Sequence, residues 1–215
     1  MPAAPFRHPP SDPAPLHDRA IQDISFIRRT MEGAAAFTDV AGWGLTSIGI
    51  TALGAAALAD RQSSAGRWLT VWLLEACLGA TIGGVTTWRK MRRHPRPAGA
   101  PFLSAPARKF LFGFWPAMLA GAALTFELLD LDTVWLPASQ VPRILPGMWL
   151  LLYGVGITTA GAFSVRALPV MGFGFMTLGI LALAVRAVPS AFILALGFGI
   201  WQIAVGVWIA RRHGG

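Results

Sequence analysis

The sequence predicts an all-α membrane protein: a polytopic bundle of six transmembrane helices, preceded by an amphipathic helix lying at the membrane interface. Three observations carry this. Six apolar stretches, at residues 41–59, 68–88, 110–129, 145–163, 168–185 and 192–210, each approach the ~20 residues that cross a ~30 Å hydrocarbon layer at 1.5 Å per residue. The chain is 54% hydrophobic and only 13% charged, against about 25% charged in soluble domains. The basic residues alternate across the stretches with one strong bias. With 215 residues and six spans, little chain is left for a second folded domain.

Residues 1–17 form a Pro-rich tail, with Pro2, Pro5, Pro9, Pro10, Pro13 and Pro15 in its first fifteen positions. Proline lacks a donor and breaks helices, so disorder is expected there. The next segment, 18–38, changes character. Ile21, Ile24, Ile27, Met31 and Ala34 recur every three or four residues, with Arg19, Asp23, Arg28, Arg29 and Glu32 between them. This predicts an amphipathic helix over about residues 18–36, either anchoring the chain at the surface or covering the mouth of the bundle. The first apolar run begins too late for a cleavable signal peptide and reads as an uncleaved anchor.

Residues 39–215 form the transmembrane domain. Fourteen of its flanking Lys and Arg fall on one side. They are Arg7, Arg19, Arg28 and Arg29 before the first span, Arg89 to Lys109 after the second, Arg166 after the fourth, and Arg211 and Arg212 after the sixth. Arg61, Arg67, Arg143 and Arg186 fall on the other. Short loops rich in Lys and Arg stay in the cytoplasm, so both termini are expected inside. The net charge of +8 then reads as topology rather than nucleic-acid binding, for which no aromatics interleave with the basic run. Arg89, Lys90, Arg92 and Arg93, in the loop after the second span, are candidates for anionic lipid headgroups at about 1 kcal/mol each. Fixing orientation alone explains their position and is the favoured reading.

Glycine recurs through the spans, as expected where helices approach closely in lipid. There is also an internal echo. Trp72-Leu73-Leu74 with Gly79, Thr81, Gly84 and Arg89 matches Trp149-Leu150-Leu151 with Gly156, Thr158, Gly161 and Arg166 without a gap. Gly42-x-Gly44 with Gly49 matches Gly172-x-Gly174 with Gly179. This predicts three pseudo-repeated helical hairpins in parallel orientation, with any central site at their interfaces.

Few polar groups lie within the spans. Glu75 is the ionisable residue well inside one, and an intramembrane carboxyl is a functional candidate by default. The echo places it opposite Leu152, beside Tyr153. With Gln202 midway along the sixth span, and Thr81, Thr158 and Thr159 nearby, these residues form a candidate proton- or substrate-binding site. The plainer reading is a protonated carboxyl hydrogen-bonded to a neighbouring helix, or one hydrated from the outer side. Pro116 is expected to kink the third span.

Several chemistries have no residues to carry them. His8, His17, His94 and His213 lie outside the spans, so paired histidine haem ligands within the bilayer are not expected. Cys77 is the single cysteine, which excludes an internal disulfide or dithiol pair. No HExxH, Gly-x-Ser-x-Gly or Walker-type motif is present. Neither enzymatic activity, nor a cofactor, nor a metal is expected.

The segments 26–32, 104–110 and 163–172 resemble those of uncharacterised six-span integral membrane proteins of bacteria, over most of the chain after the tail. The resemblance implies the bacterial cytoplasmic (inner) membrane and no particular activity. Size and span count are also similar to those of substrate-binding subunits of vitamin-uptake transporters. Two functions are therefore expected in competition. One is small-solute transport or capture through a polar site of Glu75, Tyr153 and Gln202 in the outer half of the bundle. The other is an accessory or scaffold subunit of a larger membrane complex, contacting pigments or partners through Gly-rich and aromatic faces. The expected partners are the lipid bilayer and either further copies of the chain or other membrane subunits.

Overall fold

The computed structural model describes residues 19–27, 40–93, 103–130, 140–162, 164–185 and 188–213. They form two units, divided near Ala35. In the first, residues 19–27 form helix α1, with Ile21, Ile24 and Ile27 exposed along it. Their spacing gives α1 the apolar stripe that the sequence predicts. The tail and the remainder of the 18–38 segment lie outside the described residues.

The second unit is a bundle of six helices long and apolar enough to cross a membrane. They are α2 (Gly42–Asp60), α3 (Ala65–Arg93), α4 (Ala105–Asp130), α5 (Val141–Gly161), α6 (Ala167–Ala184) and a composite sixth span. The sixth begins as α7 (Ser190–Leu194), widens into a π-helix (Ala195–Trp201) and continues as α8 (Gln202–His213). The chain is thus a multi-pass membrane protein, as its composition predicts.

Successive spans run in opposite directions, so the bundle has an Asp60 end and an Arg89 end. Among the described residues, Arg89, Lys90, Arg92, Arg93, Arg108, Lys109, Arg166, Arg211 and Arg212 sit at the second and Arg61, Arg67 and Arg143 at the first. One expectation changes here. Arg89, Lys90, Arg92 and Arg93 are not in a loop: α3 runs for 29 residues and carries them in its last turns. Cations at a helix C-terminus are favoured by its partial negative charge, which lets the helix continue past the ~20 residues of the hydrocarbon span.

Two glycine seams hold the bundle together. On α5 and α6, a Cβ at Gly154 would stand 2.7 Å from the Gly172 carbonyl oxygen and 2.8 Å from the Met176 nitrogen. One turn pair away, Gly179 faces the Gly147 carbonyl at 2.9 Å. On α2 and the sixth span, Gly42 faces the Gly206 carbonyl at 2.7 Å and Gly49 the Gly199 carbonyl at 2.9 Å. In each seam both helices repeat glycine every seven residues, so backbone meets backbone and dispersion contact replaces the hydrophobic force that lipid does not supply.

The echo between α2 and α6 has a structural meaning. Gly42 and Gly49, like Gly172 and Gly179, face the second helix of a different hairpin. Gly44 and Gly174 each face the second helix of their own, meeting Thr86 and Trp201 respectively. The three hairpins α2–α3, α4–α5 and α6–sixth span are therefore joined in an open arc, through α5–α6 and through α2 and the sixth span. Two of the three junctions between hairpins are glycine seams. The third would join α3 to α4, which are not a packed pair: α3 packs chiefly on α2 and α4 on α5. Phe112, Trp115 and Phe126 of α4 accordingly face outward.

Candidate functional site

The innermost polar residue is Gln202. It is 1% exposed, and it follows directly on the π-helix. Its nitrogen stands 3.5 Å from the Tyr153 hydroxyl on α5, to which it donates. Its oxygen has no hydrogen-bond partner among the described residues. A buried acceptor left unpaired costs about 1–3 kcal/mol. π-Helical turns are rare and concentrate at functional sites. This one lies where Gly197 approaches Leu150 of α5 and Gly199 approaches Leu53 of α2.

Tyr153 stands in an aromatic enclosure. Its ring centroid is 4.8 Å from Phe175 of α6, 5.2 Å from Phe198 of the sixth span and 5.9 Å from Phe114 of α4, each approached edge to face. Edge-to-face contacts of this kind orient rings more sharply than aliphatic packing does. Four elements thus position one phenol. The Trp201 indole donates to the Met171 carbonyl at 3.0 Å, tying the end of the π-helix to α6.

Glu75 is set differently from the expectation. It is 9% exposed, and its carboxyl oxygen lies 2.7 Å from the Thr51 hydroxyl of α2. No hydrogen bond among the described residues joins it to Tyr153 or Gln202. The reason is register. Trp68 of α3 stacks on Trp149 of α5, with centroids 5.9 Å apart and planes within 5°, so Trp149 lies level with Trp68 rather than with Trp72. Tyr153 is then level with Trp72, and Glu75 lies three residues, or ~4.5 Å, further along α3. The echo is one helical turn out of register with the packing.

The remaining candidates fall outside this cluster. Thr81 is exposed and returns its hydroxyl to the Cys77 carbonyl of its own helix, at 2.8 Å. Thr158 does likewise to Gly154, at 2.8 Å, and packs against Gly172 in the α5–α6 seam. Small hydroxyls within lipid-embedded helices commonly satisfy themselves in this way. The Thr159 hydroxyl lies within reach of the Val155 carbonyl of its own helix at 2.9 Å and also of the Gly113 carbonyl of α4 at 2.7 Å. Among the basic residues, Lys90 donates to the Val40 carbonyl at 3.2 Å, joining the end of α3 to the start of α2. Arg92 lies 5.9 Å over the Trp88 ring. Arg89 and Arg93 are exposed at the helix end.

Three features escaped the sequence reading. Trp68 and Trp72, 5% and 4% exposed, precede Glu75 on its buried stripe, and neither indole nitrogen has an acceptor among the described residues. Their spacing of four and then three residues is a helical-face signal that was present in the sequence. Thr51, the partner of Glu75, carried no such signal. Two pockets open at the Asp60 end. One, of about 300 Å³, is lined by Asp60, Ser63, Ser64, Trp68, Pro142 and Ser190 among others. The other, of about 240 Å³, includes Arg143, Pro146 and Val185. Neither of these two pockets is lined by Glu75, Tyr153 or Gln202.

No family model, curated protein or solved structure matches the chain.

Proposed function

We propose that the protein captures or transports a small solute across the bacterial inner membrane, with both termini cytoplasmic and the Asp60 end outward. The solute site is the Tyr153–Gln202 pair. One observation carries this reading: the buried Gln202 oxygen, adjoining a π-helix and beside an aromatic enclosure, has no hydrogen-bond partner among the described residues. An N–H or O–H donor on a solute would fill that position. The rings of Phe114, Phe175 and Phe198 around the neighbouring phenol suit an uncharged, flat or apolar body. The excess of Lys and Arg at the Arg89 end supports the orientation.

Native mass spectrometry of the protein, purified in mild detergent from its own membrane, tests the reading. A bound small molecule that is lost in Gln202→Leu and Tyr153→Phe supports it. Stoichiometric partner subunits in place of a small molecule would make the chain an accessory component of an assembly.

A further inference from the structure

We propose that one face of α3 is a hydrated path that leads from the pocket at the Asp60 end to the Glu75 carboxyl and makes Glu75 a proton-exchanging group. The inference stands independently of the Tyr153–Gln202 reading, since it uses a different helix pair.

The path can be followed residue by residue. Its mouth is the pocket of about 300 Å³, whose lining includes the polar residues Asp60, Ser63, Ser64 and Ser190. Trp68 lines that pocket and is otherwise buried. Trp72 follows one turn further in and Glu75 a turn after that, on a single stripe of α3. Both indole N–H groups on the way lack an acceptor among the described residues. Buried groups of this kind are commonly satisfied by ordered water, which accepts from one neighbour and donates to the next. Two such donors in sequence, between a polar pocket and a carboxyl, fit a short file of water molecules.

The path closes beyond Glu75. The next residues on the stripe, Gly79 and Gly83, are covered by the Ile48 side chain, which a Cβ at either position would meet at 3.3 Å and 3.5 Å. On this stripe the approach to Glu75 is therefore from the Asp60 side.

Thr51 is built to serve both protonation states of Glu75. Its hydroxyl oxygen lies 2.9 Å from the Ile48 carbonyl and 2.7 Å from the Glu75 carboxyl oxygen. A hydroxyl has one hydrogen and two lone pairs. With Glu75 ionised, Thr51 donates to the carboxylate. With Glu75 protonated, the carboxyl donates to Thr51, and Thr51 turns its hydrogen to the Ile48 carbonyl. In exchange the carboxyl proton passes to the adjoining water, leaving a carboxylate, and a proton arriving from the pocket along the same file restores the acid. Nothing else needs to move.

Two experiments test this on the full chain in lipid nanodiscs. The first is hydroxyl-radical labelling by water radiolysis on the wild-type protein. Trp68 and Trp72 are expected to oxidise well above Phe175, an aromatic side chain that is fully buried. Labelling of both at the Phe175 background would overturn the proposal. The second follows deuterium exchange at the carboxyl by infrared spectroscopy, the Glu75 band being identified by its loss in Glu75→Gln. Trp72→Phe keeps the ring and removes the donor. It is expected to slow exchange roughly tenfold, the factor that about 1.4 kcal/mol on a barrier produces. Trp208→Phe, on α8 and 37% exposed, should leave the rate unchanged. Equal rates in wild type and Trp72→Phe, equal slowing in Trp208→Phe, or no band lost in Glu75→Gln would each overturn it.

Discussion

The Tyr153 hydroxyl and the Gln202 carboxamide nitrogen lie 3.5 Å apart, contributed by spans 49 positions apart in the chain. That is long against the usual 2.9–3.0 Å for an N–H···O bond. The pair is in place but weakly joined, and the other end of the amide is unpaired.

Gln202→Leu separates stability from binding. Removing a buried acceptor that has no partner, with volume conserved, is nearly neutral or stabilises by about 1 kcal/mol. Thermal unfolding of the solute-free proteins in detergent should therefore show an unchanged or raised midpoint for the variant, while native mass spectrometry shows that it no longer retains the solute. A clearly lowered midpoint would mean that the oxygen is satisfied in the folded protein.

The seams predict a sharp contrast between glycines. Gly154→Ala places a methyl against the Gly172 carbonyl and the Met176 nitrogen. Backbone on both sides leaves little room to relax, so a loss of about 1–3 kcal/mol is expected. Gly84→Ala and Gly54→Ala meet nothing within 4 Å, and should be neutral or gain up to about 1 kcal/mol from helix propensity. Parallel melting curves of the three variants check this.

Thr51→Val leaves the Glu75 carboxyl without its hydroxyl partner on α2. A cost of about 1–3 kcal/mol follows. Glu75→Gln keeps a group able to bond Thr51 in either direction and should cost less. Denaturation in mixed micelles ranks the two, and the reverse order would place the carboxylate charge, rather than the bond, in control.

Helix α4 is joined to α5 by two side-chain bonds, Thr159 to the Gly113 carbonyl and the Trp149 indole to Thr125. Such interhelical bonds in membranes contribute about 0.6 kcal/mol each on average. Thr159→Val combined with Thr125→Val should raise amide exchange along α4 and leave the α5–α6 seam protected, as hydrogen-exchange mass spectrometry would show.

Orientation can be read chemically. With Cys77→Ala as background, a membrane-impermeant maleimide applied to intact cells should label Ser63→Cys and spare Arg212→Cys. The opposite pattern would invert the proposed topology.

The six spans were legible because each is a continuous apolar run, and length decides such cases. The α2–α6 glycine echo was legible too, and the structure gives it a role: Gly42 and Gly172 occupy matching places in the two seams. What the sequence could not supply was register between helices. Matching Trp72 with Trp149 set Glu75 beside Tyr153, whereas the stack forms with Trp68. Periodicity tells which face of a helix is turned inward but not how far the helix slides along its neighbour. That is decided by where flat rings and missing side chains happen to fit. Thr51 escaped notice for the same reason, being one of several threonines until α2 and α3 are set side by side.

The α2–sixth span seam also has an order in time. Of the six described spans, the one that carries Gly42 is synthesised first, and the one that carries Gly206, whose backbone it must touch, last. At roughly 5–20 residues per second, the first helix waits on the order of ten seconds or more for the last. Throughout that interval its glycine face has lipid or a chaperone for a neighbour, and a ribosome that stalls in the final span strands it there. The bundle is completed only when the newest helix returns to lie against the oldest.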